Sequence, residues 1–293
     1  MSTAQRTPQD GEGPWFDLPE AGYRARANAL SNQPDIVSAA AVYREKGWLI
    51  RDFGFSESDL DHAATYTRDL KGARVQDAWV VNPAIKRLAA DPRVLAFLKG
   101  LYQRRAFPFQ TLNFPRGSQQ HPHSDTFHFN SDPQGFMCGV WIALEDIRPG
   151  SGPLQYFSGS QRLPIFSNAD MDYEPEGRYE PLIARTLESG GFKPETALIK
   201  RGQAFIWAAN LMHGGSPITD PGATRLSQVT HYYFDGCGYF TPFHSSKGEV
   251  AWREPYDIAR GVFKYRPGQV RRLGVATWLK RRWARLTWRP KVE

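Results

Sequence analysis

The sequence predicts a mainly β protein, a sandwich or barrel of short strands preceded by helices. Two observations support this fold class. From Phe107 onward, short runs with strand character alternate with Gly and Pro turns, whereas the segment before that residue carries helix start and stop signals. The 293 residues, 41% of them hydrophobic, can bury a substantial core. We therefore predict a single domain over residues 15–263.

Capping residues locate the helices of the N-terminal part. Gly47 ends a first helix, Ser56 opens a second with Asp59 in its acidic first turn, and an Asp-Pro pair at 91–92 begins a third. The predicted elements are helices at 35–46, from Ser56 onward and at 91–101, with a strand at 48–51 between the first two. Residues 1–14 are polar, contain Gly and Pro, and are predicted to be disordered.

Strand patterns occupy a β core of about 107–235. The predicted strands are 109–114, 126–129, 136–144, 154–157, 197–199, 204–207 and 226–234. An insert at about 168–194 has little period and much charge and glycine. A loop of that length in a compact domain is often an active-site lid, and we predict that role for it.

The net charge of +7 is concentrated in a C-terminal tail. Residues 264–293 carry ten basic residues against Glu293 alone, a net charge of +9, so the rest of the chain is nearly neutral at −2. A basic surface spread over the fold, as nucleic-acid binding needs, is therefore not expected. Two cysteines, the lack of a signal-peptide pattern and the lack of an apolar run of roughly 18 residues predict a soluble protein of the reducing cytoplasm.

Within the tail, apolar residues recur at helical spacing opposite basic residues. The apolar positions are Val275, Leu279, Trp283 and Leu286, and the basic ones are Lys280, Arg281, Arg282 and Arg285. One interpretation is a helix docked on the body with a solvated basic face. Another is peripheral contact of residues 271–289 with the inner face of a membrane, where each basic residue adds about 1 kcal/mol. A third is contact with a partner protein or an anionic substrate.

A pattern of metal ligands stands in the β core. His123 and Asp125 are separated by one residue, so both side chains would emerge on one face of an extended strand. His213, followed by two glycines that let the backbone bend close to a cofactor, would complete the two-histidine, one-carboxylate set that suits non-haem Fe(II). Arg225 and Ser227 then share a strand face and suit one carboxylate. A 2-oxo acid would use both features, since its keto acid end chelates a metal and its far carboxylate meets the arginine.

Three blocks of the sequence resemble the phytanoyl-CoA dioxygenase family of Fe(II)- and 2-oxoglutarate-dependent oxygenases, over roughly residues 109–234. The blocks are Leu112-Asn113-Phe114 with His121-Pro122-His123-Ser124-Asp125; the run from Cys138 to Leu144 with Gly152-Pro153-Leu154 and Ser158-Gly159-Ser160; and the run from Gly202 to Trp207 with His213-Gly214-Gly215 and Arg225. The resemblance implies a double-stranded β-helix, or jelly-roll, with Fe(II) as cofactor and 2-oxoglutarate and O₂ as co-substrates. Ser124 departs from the glutamine associated with the phytanoyl enzymes.

The resemblance also implies residue roles. Iron would be held by His123, Asp125 and His213; 2-oxoglutarate would meet Arg225, Asn113, Ser227 and Trp141; and the substrate would contact Phe127, His128 and Gln110. Because halogenating relatives replace the carboxylate ligand with a small residue, Asp125 favours oxygenation. The expected reaction is hydroxylation of a small-molecule or lipid- or sugar-linked metabolite, with release of succinate and CO₂.

Two alternative functions use the same residues. The first is a catalytically silent jelly-roll that serves as a binding module at a membrane surface. The second is a zinc hydrolase with the same three ligands, which leaves Arg225 and Ser227 unexplained.

Three further histidines have more than one interpretation. His121 could pair with His123 as a ligand, although Asp125 is the better partner. His128 lies in the core, faces the substrate or supports a ligand, and His231 is either a packed strand residue or a contact of 2-oxoglutarate.

Overall fold

A seven-stranded sheet carries helices on one face and a cavity on the other. The computed structural model describes residues 13–265 and 287–292. Its helices are α1 (Glu20–Ala29), α2 (Pro34–Lys46), α3 (Glu57–Arg68), α4 (Pro83–Ala89), α5 (Pro92–Tyr102) and α6 (Tyr179–Ser189). Its strands are β1 (Trp48–Asp52), β2 (Val75–Gln76), β3 (Ala106–Phe114), β4 (Asn130–Asp132), β5 (Met137–Ala143), β6 (Leu154–Tyr156), β7 (Glu195–Thr196), β8 (Gln203–Ala208), β9 (His213–Gly215), β10 (Ser227–Phe234), β11 (Gly238–Phe240), β12 (Trp252–Arg253), β13 (Tyr256–Asp257), β14 (Val262–Phe263) and β15 (Lys291–Val292).

The strands form two walls. The large sheet has the order β1-β8-β5-β10-β3-β2-β15, and the smaller wall has the order β7-β6-β9. Neighbouring strands are antiparallel in both. Tyr156 on β6 lies with its ring centroid 4.8 Å from that of Phe205 on β8, so the walls pack face to face. The chain therefore forms a double-stranded β-helix with helices on its outer face, and the fold prediction is confirmed.

The two-residue period of the strands separates a helix-covered core from the cavity. On β10, the Gln228 side-chain amide and the Tyr232 hydroxyl donate to backbone carbonyls of α4, at 3.1 and 2.7 Å. The intervening Val229 and His231 face the opposite way and line the cavity. Every residue of β10 is buried, because the strand is covered on both faces.

Most predicted elements are present. Gly47 ends α2 in the left-handed conformation at φ 79°, and the Asp91 side chain accepts a hydrogen bond from the Arg93 amide at the start of α5. Ser56 precedes α3, although its side chain makes no capping hydrogen bond. Helices α1 and α4 and several strands of two or three residues were not predicted, since such short elements depend on their neighbours more than on their own pattern.

Three sequence predictions are wrong. The strand expected at 126–129 is instead a 3₁₀ helix over Asp125–Phe127, and the strand expected at 197–199 pairs two residues earlier, as β7. The insert at 168–194 contains α6 and is not a loop. Its buried Tyr179, Ile183 and Leu187 follow a helical spacing that the surrounding charged residues and glycines conceal.

The end of the basic tail lies on the body. The Trp288 ring is 5.4 Å from that of Trp79 and 5.5 Å from that of Tyr256, and β15 pairs with β2. Residues 1–12, most of the segment predicted to be disordered, and residues 266–286, which include most of the predicted amphipathic helix, lie outside the described residues. Among the described helices, none combines the length and the apolar character that a membrane span requires.

Trp288→Ala is expected to destabilise the fold by about 2 kcal/mol. It removes two aromatic contacts and the apolar surface that the partly buried indole covers. Thermal unfolding should show a Tm lower by roughly 2–4 °C. Val250→Ala, at a residue that is 43% exposed, is the control and should leave the Tm unchanged. An unchanged Tm in Trp288→Ala would contradict docking of the tail end.

Candidate active site

A two-bond bridge brings the two ligand-bearing segments together. The His123 amide donates to the His213 carbonyl, and the His213 amide donates to the His123 carbonyl, both at 2.9 Å. A Cβ on Gly214 would lie 2.6 Å from the Gln120 carbonyl oxygen, and one on Gly215 would lie 2.5 Å from a backbone nitrogen of the same segment. The glycines therefore permit close approach of two backbones, and Gly214 also lines the cavity.

His123, Asp125 and His213 form a ligand set. One ligand atom from each lies within 4.8 Å of the others. The Nδ1 atoms of His123 and His213 each lie 2.9 Å from a backbone carbonyl, of His121 and Leu211 respectively. A carbonyl can only accept, so each Nδ1 carries the proton and each Nε2 presents a lone pair. The three residues thus fit a divalent metal.

The Asp125 carboxylate is held by its neighbours. Trp207 donates its indole N–H to Asp125 Oδ2 at 2.8 Å, which leaves Oδ1 for a metal. His231 Nε2 lies 3.5 Å from the same Oδ2, and His231 Nδ1 lies 2.8 Å from Gln110 Oε1. Gly139 makes room for the indole, because a Cβ there would lie 2.1 Å from the Trp207 ring.

Burial and charge set the protonation states that a metal site needs. Burial, together with the neighbouring His213, lowers the pKa of His123 to about 3. Burial lowers the pKa of His231 to about 4, against the opposing effect of Asp125. Burial alone would raise the pKa of Asp125, but the nearby histidines and the Trp207 hydrogen bond outweigh it and hold that pKa below its usual value. At neutral pH the imidazoles of His123 and His231 are therefore neutral and the Asp125 carboxylate is ionised.

Ser124 shapes the turn between the first two ligands. Its hydroxyl accepts from the Thr126 amide at 3.2 Å and lies 3.0 Å from Asn210 Oδ1. The Ser124 amide donates to the Tyr179 hydroxyl of α6 at 3.0 Å. A serine that caps the next turn explains why a 3₁₀ helix replaces the predicted strand.

Arg225 lies in the same cavity of about 690 Å³ as the ligand set. Its side chain is buried between Phe114 and Trp141, with its guanidinium carbon 5.3 and 5.5 Å from the two ring centroids. Arg225 Nη1 donates to the Gly152 carbonyl at 3.1 Å, whereas Arg225 Nε and Trp141 Nε1 are buried without a hydrogen-bond partner among the described residues. Burial lowers the pKa of Arg225 to about 10. The arginine is still charged at neutral pH, so the pocket presents a cation and two unused donors.

The other predicted contacts divide into two groups. Gln110 and His128 line the cavity. Asn113 does not, and the expectation that it lies beside 2-oxoglutarate is corrected: on β3 it alternates with the cavity residues, and its amide donates to Thr67 of α3 at 3.0 Å. Phe127 and Ser227 also lie outside the lining; Phe127 stacks on Tyr179, and the Ser227 hydroxyl donates to the Arg225 carbonyl at 3.4 Å.

His121 is not part of the ligand set. Its side chain is 74% exposed, with Nε2 3.7 Å from a carboxylate oxygen of Glu180. Trp207 was placed on a strand by the sequence, but its bond to Asp125 was missed. Other lining residues that were missed are Arg74, Tyr179, Glu180, Arg253 and Lys291. They come from segments distant in sequence, and only the helical period of α6 carried a signal for any of them.

Comparison with known proteins agrees with these features. A model of the family described as phytanoyl-CoA dioxygenase (PhyH) matches residues 21–226. Phytanoyl-CoA dioxygenase domain-containing protein 1 of Danio rerio is 26% identical over 152 residues, which cover 50% of this chain and 51% of that protein. Its counterpart from Mus musculus is 25% identical over 134 residues, covering 44% of this chain and 40% of that protein. The chain spans about half the length of these curated relatives, or less.

Solved structures share the fold. EctD from S. alaskensis, solved with 2-oxoglutarate and 5-hydroxyectoine, has a TM-score of 0.57 at 19% identity, over 76% of this chain and 86% of that one. SnoN, a non-heme alpha ketoglutarate dependent epimerase from nogalamycin biosynthesis, has a TM-score of 0.54 at 20% identity, over 70% of this chain and 85% of SnoN. SnoK, a carbocyclase from the same biosynthesis, has a TM-score of 0.55 at 16% identity, over 78% of this chain and 95% of SnoK.

Trp207→Phe is expected to weaken Fe(II) binding roughly 10-fold or more, because it removes the hydrogen bond that orients the Asp125 carboxylate. Asp125→Ala should weaken it further, since a ligand is lost. Affinities are to be measured by anaerobic equilibrium dialysis, with the Tm recorded for each variant.

Trp48→Phe is the matched control. It also removes one indole hydrogen bond, to Ser158 Oγ at 2.7 Å, but away from the cavity. Equal Fe(II) affinities in Trp207→Phe and Trp48→Phe would show that Trp207 does not position the ligand.

Proposed function

The chain belongs to the phytanoyl-CoA dioxygenase family, and on that premise we propose that it is a non-haem Fe(II)- and 2-oxoglutarate-dependent dioxygenase that hydroxylates a small molecule. The observation that carries the proposal is the buried Arg225, with unused donors beside it, in one cavity with a two-histidine, one-carboxylate ligand set. A ligand set alone would also suit a hydrolase, and a buried arginine alone would suit any anion. Together they match the two ends of a 2-oxo diacid.

His123, Asp125 and His213 are assigned to Fe(II). Two neutral imidazoles and one carboxylate are the facial set typical of non-haem Fe(II) oxygenases, and they leave positions open for co-substrates. When bound, Fe(II) with 2-oxoglutarate and O₂ supplies the oxidising power that places one oxygen atom on the substrate and the other in succinate, with loss of CO₂.

Arg225 is assigned to the distal carboxylate of 2-oxoglutarate. A buried guanidinium with no carboxylate partner is unfavourable, and an incoming carboxylate removes that cost. The Trp141 N–H lies beside the guanidinium and provides a second donor. Phe114 and Trp141 cover the ion pair and exclude water, which strengthens it. Here the chain binds and orients the co-substrate.

The remaining cavity is assigned to the substrate. His128, Gln110, His231 and, from α6, Tyr179 and Glu180 line it, and His231 lies beside Asp125. Helix α6 thus contributes to the wall, which supports a lid role for the insert. The known relatives of this fold include an epimerase and a carbocyclase, so hydroxylation is the part of the proposal that depends on the substrate.

The alternatives predict different chemistry. A zinc hydrolase has no use for Arg225 beside Trp141, and a silent binding module has no need of ligands whose Nε2 atoms and carboxylate converge. Release of succinate from 2-oxoglutarate with Fe(II) and O₂ distinguishes the oxygenase from both.

Membrane contact of residues 271–289 is a separate proposal. It is supported by the net charge of the tail, +9 in residues 264–293, and by the helical spacing of its apolar residues opposite the basic ones. We place the protein in the cytoplasm, peripheral to the inner face of the membrane.

Arg225→Gln is expected to raise the KM for 2-oxoglutarate roughly 10- to 100-fold, because a hydrogen-bonded charge pair is lost. Succinate formation and anaerobic 2-oxoglutarate binding measure the effect. Arg116→Gln, at an exposed arginine outside the cavity, is the control and should retain the KM. An unchanged KM in Arg225→Gln would remove 2-oxoglutarate from this pocket.

Replacing Lys280, Arg281, Arg282 and Arg285 by Gln is expected to abolish co-sedimentation with vesicles of phosphatidylserine and phosphatidylcholine, since each basic residue adds about 1 kcal/mol at an anionic surface. The variant keeps Trp288 and β15, which a deletion would remove. Neutralising four exposed basic residues of the body, Arg116, Lys200, Lys247 and Arg260, is the control. Equal sedimentation of both variants would contradict membrane contact through the tail.

A further inference from the structure

The cavity carries positive charge in addition to that of Arg225. Arg74, Arg253 and Lys291 also line it. The carboxylates among the lining residues are Asp125, which belongs to the ligand set, and Glu180, which lies beside His121. The proposed activity accounts for Arg225 and the ligand set but assigns no role to Arg253.

Arg253 is fixed in place without a carboxylate partner among the described residues. Its Nη1 donates to the His128 carbonyl at 3.3 Å and to the Thr241 hydroxyl at 3.2 Å. Its guanidinium carbon lies 4.8 Å from the centroid of the Phe129 ring. Two neutral oxygens and a ring face orient the guanidinium without neutralising it, and its other nitrogens remain available to a planar anion.

Arg74 and Lys291 add charge from two other segments. Arg74 is half-buried and immediately precedes β2, and β2 pairs with β15 so that Lys291 lies opposite Gln76. Three cations from chain segments far apart in sequence thus converge on one cavity. Arg74 and Arg253 both act electrostatically on His128 and His231, which places the two arginines near the same histidines.

A short series of contacts connects Arg253 to the ligand set. His231 Nε2 lies 3.5 Å from Asp125 Oδ2, the His231 ring is 5.1 Å from the Phe129 ring, and Phe129 lies under Arg253. A small molecule can therefore reach from the cations to the metal ligands within the cavity.

We propose that the substrate carries a carboxylate or phosphate group, and that Arg253, assisted by Arg74 and Lys291, binds this anion while another part of the molecule lies at the metal ligands. The inference rests on the proposed function, because it assigns this part of the cavity to the substrate. A cationic substrate is disfavoured, since like charges cost free energy in a partly buried site. Held at one end, the substrate presents the same carbon on each binding event.

Binding of short-chain probes tests the proposal. The protein is saturated with Fe(II) and 2-oxoglutarate under anaerobic conditions, so that Arg225 is occupied. Hexanoate, hexyl phosphate, hexanamide and hexylammonium are then titrated by calorimetry at fixed ionic strength. The anions should bind at least 10-fold more tightly than the amide, and the ammonium least of all. Tighter binding of hexanoate or of hexyl phosphate identifies which anion the site prefers.

Variants locate the anion. In Arg253→Gln the ratio of hexanoate to hexanamide affinity should fall at least 10-fold, and in Arg74→Gln and Lys291→Gln it should fall by less. Arg260→Gln removes an exposed arginine that does not line the cavity and should keep the ratio. Because Arg253 packs on Phe129, the Tm of each variant is measured, and Arg253→Lys tests the charge with less loss of packing.

The outcomes separate this inference from the proposed function. If neither hexanoate nor hexyl phosphate binds more tightly than hexanamide, in a protein that binds 2-oxoglutarate and releases succinate, the anion site is overturned and the oxygenase is left intact. An unchanged affinity ratio in Arg253→Gln would also overturn it. If the protein neither binds nor consumes 2-oxoglutarate, the proposed function fails, and the preference for anions is then judged by the same titrations without 2-oxoglutarate.

Discussion

The pair of backbone hydrogen bonds between His123 and His213 is the constraint on which the site depends. It joins two segments separated by ninety residues and brings both imidazoles to one point, with ring centroids 4.6 Å apart. Closing a loop of that length costs conformational entropy, which the walls of the jelly-roll offset by burying the intervening chain. Gly214 and Gly215 follow from this constraint, because a side chain at either position would prevent the approach. The histidine-glycine-glycine sequence is thus a packing requirement of the bridge.

A second constraint is the separation of charges within one cavity. Arg225 is buried without a carboxylate partner among the described residues, and Asp125 is buried and surrounded by histidines. An ion pair between them would be the simplest way to stabilise both charges, but it would consume the groups that bind ligands. The fold instead holds Asp125 with the Trp207 N–H and covers Arg225 with aromatic rings. Each group stays ionised and keeps hydrogen-bonding or ligating atoms unused. Burying these unused atoms costs free energy, which the stability of the surrounding core offsets.

The ligand residues and the fold class could be predicted because they depend on local patterns. Two ligands one residue apart, a histidine before two glycines, and an arginine at the start of a strand are visible in a single sequence. The side chains that hydrogen-bond to those ligands cannot be recognised in the sequence. Trp207 looks like any buried strand residue until its indole is found at Asp125, and the α6 helix is hidden by charged residues on its exposed face. Asn113 was assigned from resemblance, but the alternation of side chains on β3 turns it towards α3.

On the proposed function, the residues assigned to the reaction and those assigned to substrate selection lie on different parts of the chain. The ligand set, Arg225 and Trp141 lie on or beside the strands of the jelly-roll, whose positions are fixed by sheet hydrogen bonds and a shared core. The outer lining comes from the segment before β2, from β12, from α6 and from the returning tail. Peripheral segments of this kind generally vary more in sequence than the strands of the core. The exception is Tyr179 of α6, which bonds to Ser124 between the first two ligands and stacks on Phe127. A change in the insert that displaced this tyrosine would reach the ligand set through one hydrogen bond. On the proposed function, the insert would therefore couple substrate contact to the geometry of the ligand set.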